Sequence, residues 1–412
     1  MKILVLTNAY PPYITGGYEI ACYDNVQRLR SKGHDVHVLT STYRKFENSP
    51  LDSDKKVYRK LMLEAKFYQF HPFPLLKYKS LRQVVAKYRD SIIFKHYLNQ
   101  IKPDIVFFWN MGLISFFLID IAEKSLPTAY YLSDSWLSYP PLYVEYKECD
   151  GLKQEESPVK LKRFLSKITR PRKIYISLPK NVIFCSNALK QLYYEFGYSF
   201  RNPSIIYHGI DPLIFHPIVD KVKTDNTVKL LFCGRISKFK GIETVIYAIW
   251  KLINRYNINN ISLNIVGDGQ KEYIKYLKNK VNKLSLSAFI HWISKAERNN
   301  MPEIYCSHDI LIFPSIWQEP FSITILEAMS CGIPIIGTLT GGSKEILVDN
   351  ENSLVFKEGN SNQLTNKIKI LIENKDLRKK IIKKGLETAN NYTLDTMADR
   401  VEKYLLSVIE QK

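Results

Sequence analysis

No two cysteines of this chain stand close enough for a metal-ligand pair or a redox C-x-x-C. The six are Cys22, Cys149, Cys185, Cys233, Cys306 and Cys331, and most sit in apolar runs such as Phe184-Cys185 and Phe232-Cys233. Free thiols packed as small hydrophobes fit that pattern, and with it a reducing compartment. Long apolar runs are also missing. The N-terminal run, Ile3 to Leu6, is too short for the core of a signal peptide. The stretch nearest to a membrane span, Ile105 to Ala122, holds Asn110 and Asp120 and is broken at Gly112. A strand, a turn and a helix explain it better, so no transmembrane segment and a cytoplasmic location are expected. No low-complexity tract or solenoid repeat occurs. G-x-G-x-x-G is absent, which removes the dinucleotide fingerprint. Acidic residues are in deficit, 40 against 59 basic, for a net charge of +19. Such an excess favours an anionic partner: nucleic acid, an anionic membrane surface or a phosphorylated substrate. No nucleic-acid reader motif accompanies the charge, so no nucleic-acid partner is expected.

What is present is a long globular chain. Its 412 residues exceed one ordinary core and suit two domains. Lys2 to Leu6 predicts a buried strand, followed by a loop through Tyr10-Pro11-Pro12. A helix from about Gly17 to Ser31 comes next, stopped by Lys32-Gly33-His34, then a strand from Val36 to Thr40. That is one βαβ unit of a parallel sheet. Further strand-like runs are Ile105 to Trp109, Thr128 to Leu132, Val182 to Cys185 and Ser204 to Tyr207. After His216-Pro217, the polar stretch Asp220 to Thr227 reads as a linker. The alternation then repeats, with strands at Val228 to Cys233, Ser262 to Val266, Ala288 to His291, Ile310 to Phe313 and Ile333 to Thr338. The intervening helices are Gly241 to Asn254, Glu272 to Leu284 and Phe321 to Ser330, and the remainder is mostly helix. The expectation is an α/β chain of two doubly wound Rossmann-like domains facing a cleft. The first is 1–217, with a helix of about 396–412 packing back on it; the second is 218–395. Ligands of such sheets bind at the carboxyl ends of the strands.

Three stretches carry chemistry. Gly234-Arg235-Ile236-Ser237-Lys238-Phe239-Lys240-Gly241 follows a strand and precedes a helix. Glycines there let the backbone approach a ligand, and cations at a helix N-terminus suit a diphosphate; a solvated basic loop also fits. Val266-Gly267-Asp268-Gly269 is by itself a turn signal. From Pro314 to Ala328 a strand runs into a loop carrying Glu319, and a helix then carries Glu327. Carboxylates accept from hydroxyls and free N–H groups hold phosphate, which is what a sugar nucleotide needs. Glu327 lies within Ile325-Leu326-Glu327-Ala328-Met329, where a charge calls for a partner. Asp52-Ser53-Asp54 is a D-x-D triplet, but in a charged run and not at a buried strand end, so no metal site is expected from it.

With these residues in view, the chain resembles the retaining glycosyltransferases of family 4, also called glycosyl transferases group 1, which have the GT-B fold. Glu319 and Glu327 match that family's E-x7-E motif, and Arg235 and Lys240 its phosphate-binding pair. Gly341-Gly342-Ser343-Lys344-Glu345 matches its G-G-x-x-E turn, and Gly16-Gly17 its N-terminal glycine loop. His208-Gly209-Ile210-Asp211 through Phe215-His216-Pro217 matches the N-G-[IV]-D…F-x-P stretch. The likeness runs over nearly the whole chain. It implies that Glu319 contacts the donor sugar hydroxyls and Glu327 the ribose hydroxyls. It implies that backbone N–H groups of Phe321, Ser322 and Ile323 reach sugar or phosphate, and that Trp292-Ile293-Ser294 flanks the base. Gly16, Gly17 and Gly267 fall on the donor side, and Asp134 joins Lys240, Arg235 and Glu319 as a catalytic candidate. The family implies no metal and no cofactor beyond a UDP- or GDP-linked sugar as co-substrate. The resemblance implies transfer with retention of configuration, by front-face attack. The acceptor expected is a glycan or lipid-linked intermediate of bacterial surface glycan synthesis.

Three departures from the pattern stand out. Ser322 replaces the usual Gly, which narrows the room near the sugar, and His208 replaces the commoner Asn. Ser133, in Tyr130-Tyr131-Leu132-Ser133-Asp134-Ser135-Trp136, stands where many members have a His. That loss leaves Ser133 or Asp134 as substitutes, and motivates a second reading: a non-catalytic GT-B subunit that scaffolds a partner transferase. Asn110 lines the cleft or forms a turn. Between 160 and 173 lie Lys160, Lys162, Arg163, Lys167, Arg170, Arg172 and Lys173 without an acid, interleaved with apolar residues at helical spacing. Two accounts fit: a basic amphipathic helix on an anionic membrane, at the inner face of the plasma membrane, or a surface helix packed on the first domain.

Overall fold

The structure is a computed structural model that describes residues 1–14, 16–43, 54–63, 81–138, 144–147, 174–218 and 226–411, with backbone only at 81–84, 144–147 and 174–177. The basic segment 160–173, Asp52 and Ser53, and most of the expected linker lie outside the described residues. The chain divides into two compact units, Met1–Tyr207 together with the residues from Met397 on, and His208–Thr396.

In the first unit the order is β1 (Lys2–Thr7), α1 (Gly17–Ser31), β2 (Asp35–Ser41), β3 (Val57–Leu61), α2 (Leu81–Ile101), β4 (Ile105–Phe108), α3 (Phe117–Glu123) and β5 (Thr128–Leu132). After it come β6 (Val144–Lys147), β7 (Ile174–Ser177), β8 (Asn181–Phe184), α4 (Asn187–Glu195) and β9 (Asn202–Ile205). A parallel sheet of order β3-β2-β1-β4-β5-β8-β9 results, with β6 and β7 paired apart from it. Ile3 to Leu6 and Ile105 to Phe108 are fully buried, because a parallel strand is covered on both faces. Neither β3 nor α2 is evident in the sequence. β3 is an edge strand whose Leu61 alone is buried, so it lacks the continuous apolar run of a central strand. The C-terminal residues join this unit through side chains. Tyr404 donates to the Asn202 carbonyl at 2.6 Å, and the Glu402 carboxylate takes Lys32 at 2.6 Å and His34 at 2.7 Å.

The second unit runs β10 (Val228–Cys233), α5 (Ile242–Tyr256), β11 (Ile261–Val266), α6 (Lys271–Lys283), β12 (Ile290–Ile293), α7 (Met301–Cys306) and β13 (Ile310–Phe313). It continues with α8 (Ile323–Ser330), β14 (Ile335–Gly337), β15 (Leu354–Val355), α9 (Ser361–Glu373) and α10 (Lys375–Ala389), and α11 (Leu394–Glu410) begins in it. Its parallel sheet has the order β12-β11-β10-β13-β14-β15. The core stripe of α5 is legible in spacing: Ile242, Val245, Ile246, Ile249 and Leu252 are buried and three to four residues apart. The order reverses between β11-β10 and β13, which makes the ends of β10 and β13 the switch point of this sheet. His208–Pro217 belongs to this unit, ten residues before the division expected from the linker. Backbone bonds explain why: Ile210 donates to the Tyr392 carbonyl and accepts from Leu394, both at 2.9 Å. Ser330 Oγ also donates to the Phe215 carbonyl at 2.6 Å. Among the described residues, no helix is long and apolar enough to cross a membrane, and no group of three His, Cys, Asp or Glu side chains is placed to hold a metal.

Candidate active site

A cavity in the second unit opens at the switch point, lined by Gly234, Lys240, Pro314, Ser315, Ser322 and Thr324 among others. Its walls are loops leaving β10 and β13, plus the first turn of α8. Glycine is needed where these loops meet. A Cβ at Gly241, whose φ is +70°, would stand 2.0 Å from the Pro314 carbonyl. One at Gly267, φ +152°, would stand 1.9 Å from the Gly234 carbonyl. The loops after β10 and β11 are thus pressed backbone to backbone, and the Gly267 N–H is engaged by the Ile293 carbonyl at 3.1 Å.

Lys240 Nζ lies 2.5 Å from Glu319 Oε1. The same oxygen accepts from Ser315 Oγ at 2.8 Å. Glu319 is 9% exposed, so its charge needs these partners. The Gly341-Gly342 turn holds the backbone of the loop: Gly342 N–H donates to the Glu319 carbonyl at 2.7 Å, and Gly341 N–H to Gln318 Oε1 at 2.8 Å. Arg235 is exposed on the loop after β10. Glu327 is half-buried on α8 and accepts from the Tyr305 hydroxyl at 2.8 Å, which supplies the partner its apolar surroundings call for. Burial and that carboxylate together push the Tyr305 hydroxyl well up, so it remains a donor.

Helix α8 begins two residues later than its apolar pattern predicts. Ser322, in extended conformation, is its N-cap, and Phe321 precedes the helix. The Phe321 ring instead packs between His208, 5.8 Å away, and Tyr392, 6.0 Å away. Burial drives His208 down to about 3, so its imidazole is neutral at physiological pH. β12 likewise reaches Ile293. Trp292 lies on the strand and packs on the core, not in a loop; exposed Ile293 ends the strand and Ser294 follows it.

The first unit gathers polar groups at the ends of β1, β4 and β5. Glu19, 2% exposed, accepts from Gly16 N–H at 2.8 Å. Gly17 opens α1. The Tyr18 hydroxyl is 2.5 Å from the carbonyl oxygens of both Trp109 and Tyr131, tying α1 to two strand ends. Asp134 Oδ1 accepts from Trp136 N–H at 2.9 Å, and its Oδ2 is 3.5 Å from Asn110 Nδ2. Asn110 is oriented by Gly112 N–H, which donates to its Oδ1 at 2.8 Å, so it is both turn former and Asp134 neighbour. Burial, aided by the Glu19 charge, raises Asp134 to about 6. The Ser133 hydroxyl is buried without a hydrogen-bond partner among the described residues.

Comparison with known proteins shows the family and the fold. The family described as "Glycosyltransferase Family 4" matches residues 15–212, and "Glycosyl transferases group 1" matches residues 218–388. The chain belongs to glycosyltransferase family 4. An uncharacterised glycosyltransferase of Methanocaldococcus jannaschii is 26% identical over 370 residues, spanning 86% of this chain and 84% of that protein. Sucrose-phosphate synthase of Thermosynechococcus elongatus superposes with a TM-score of 0.73 at 16% identity, over the full length of both chains. Anabaena HepE, in complex with UDP and glucose, superposes with a TM-score of 0.70 at 19% identity, over 99% of this chain and 100% of that one. The glycosyltransferase has the two-domain α/β architecture of the GT-B fold.

Within this glycosyltransferase, Lys240 and Ser322 line one cavity, Glu319 is bonded to Lys240, and Glu327 lies further along α8. Gly16, Gly17 and Asp134 belong to the other unit. Sequence reasoning missed Ser315, Tyr305 and Glu19. Tyr305 is 22 residues from Glu327, and no spacing signals the pair. Glu19 had a signal: a Glu three residues after the N-cap position Gly16 is half of a capping box.

Proposed function

We propose that the protein transfers a sugar, with retention, from a nucleoside diphosphate sugar to a glycan or lipid-linked acceptor, without a metal. The observation that carries this reading is the Lys240–Glu319 pair at 2.5 Å beside the N-terminus of α8. On donor binding the pair separates into two tasks. Lys240, with Arg235, neutralises the diphosphate, and the first-turn N–H groups of α8 add a fixed positive dipole end. Glu319 accepts from the sugar hydroxyls, and Glu327 from the ribose. The C1–oxygen bond to the phosphate breaks as the acceptor oxygen bonds to C1 on the same face. The acceptor proton passes to the departing phosphate oxygen. Charge developing on that diphosphate is met by groups already in place, the most effective form of electrostatic catalysis. Structures of HepE with UDP and with UDP-glucose support a uridine diphosphate donor as the first to try.

Lys240→Ala and Glu319→Ala are expected to lower turnover of a nucleotide sugar by about 10²–10³-fold, the effect of deleting one preorganised stabilising group. Donor hydrolysis or transfer assays on the purified variants check this. Near-normal rates with an intact fold would refute the role given to that residue.

A further inference from the structure

Ser322 occupies the N-cap of α8 (φ −111°, ψ 101°) yet its side chain caps nothing. A serine in that position ordinarily turns its hydroxyl back to accept from an N–H of the first turn. Elsewhere in this chain Ser186 does so, accepting from Leu189 N–H at 3.0 Å at the start of α4. Ser322 is only 7% exposed, lines the cavity with Lys240 and Thr324, and has no hydrogen-bond partner among the described residues. A hydroxyl that faces a cavity without a partner in the protein is free to meet a ligand there. The backbone gives no reason for glycine here, since a φ of −111° is open to any residue. Forgoing the cap also leaves the first-turn N–H groups and their dipole open to the same cavity.

We propose that the Ser322 hydroxyl donates a hydrogen bond to the diphosphate of the donor, a contact that glycine cannot make. The inference rests on the donor reading above and adds a side chain to it. Lys240 and the open N–H groups are all donors, so the complementary occupant is an anion with several acceptor oxygens. The Ser322 hydroxyl completes that donor set, and it anchors the leaving group instead of reading the sugar.

The test is calorimetric titration of full-length wild type, Ser322→Ala and Ser322→Gly with UDP and GDP, using uridine and guanosine as phosphate-free controls. Ser322→Ala and Ser322→Gly are expected to weaken the diphosphate that wild type binds by about tenfold, the worth of one charge-assisted hydrogen bond. Affinity for the nucleoside should stay unchanged in both, as should the melting temperature of Ser322→Ala, because no bond within the protein is lost. Unchanged diphosphate affinity in both variants overturns the proposal. A loss shared equally by nucleoside and diphosphate overturns it as a packing effect. A loss confined to the nucleotide sugar overturns it in favour of a sugar contact. If wild type binds neither diphosphate, the donor reading itself falls, and that result is read before any variant is made.

Discussion

Asp134 is a carboxyl whose ordinary ionisation lies near 4, raised to about 6 first by burial and then by the Glu19 charge. At pH 7 it is charged, and it gains its proton as the pH falls through about 6. A step that needs the carboxylate then slows on that side. The acid limb of the rate profile is expected to inflect near 6 in the wild type and to disappear in Asp134→Asn. Glu19→Gln removes the second cause only, so its inflection moves down by less than the full shift. A profile with the same inflection in all three proteins would separate Asp134 from the reaction. The stability sign is opposite to that of an ion-paired carboxylate. The folded chain binds the proton more tightly, so this group favours folding below about 4 and that contribution is lost as the pH rises through about 6. Spacing told nothing of this, because a pKa is set by what encloses the group.

The loop that presents Glu319 depends on a second element far along the chain. Gly341 has a φ of +58°, and a Cβ there would stand 2.1 Å from the Glu319 carbonyl oxygen and 2.7 Å from its nitrogen. Strain in the left-handed region costs roughly 1–3 kcal/mol, and the clash adds to it. Gly341→Ala is therefore expected to displace the carboxylate from Lys240. Donor affinity and turnover should both fall, while the fold of the second unit survives with a lowered melting temperature. Glycine at position 341 matched a motif in the sequence, but its purpose is visible only in three dimensions. It lets the turn lie directly on the loop. The helix after that loop teaches the same lesson at its start. Apolar spacing predicts a helix from Phe321, but the Phe321 ring is needed between His208 and Tyr392, and α8 starts at Ile323.

His208 connects the second unit to acid stability. Its imidazole is buried and driven from the usual 6.5 to about 3. An unfolded chain protonates this group near 6.5, whereas the folded unit does not until about 3. Stability is therefore complete above 6.5 and is lost as the pH falls toward 3. At about pH 5 the cost reaches roughly 2 kcal/mol, from 1.36 kcal/mol per unit. His208→Asn is expected to flatten this limb: its unfolding midpoint in urea should change less between about pH 7.5 and about pH 5 than that of the wild type. An equal acid loss in both proteins would place the titration elsewhere. The net charge of +19 acts on the chain as a whole and not on any contact. It favours anionic partners in general, which is why it could not choose among them.

By itself the sequence determined the two α/β units, most central strands and the family. Parallel strands buried on both faces must read as apolar runs, and helix periodicity survives in α5. Glycines and paired carboxylates are likewise visible wherever a short motif contains the whole requirement. The tertiary structure alone decided the edge strand β3, the start of α8, the placement of His208–Pro217 with the second unit, and the partners of each carboxylate. Ser315 for Glu319 is four residues away and Tyr305 for Glu327 is twenty-two. The uncapped hydroxyl of Ser322 belongs to the same class. Periodicity reports which face is buried. It does not report which groups from separate elements meet there, and that meeting sets both charge and reactivity.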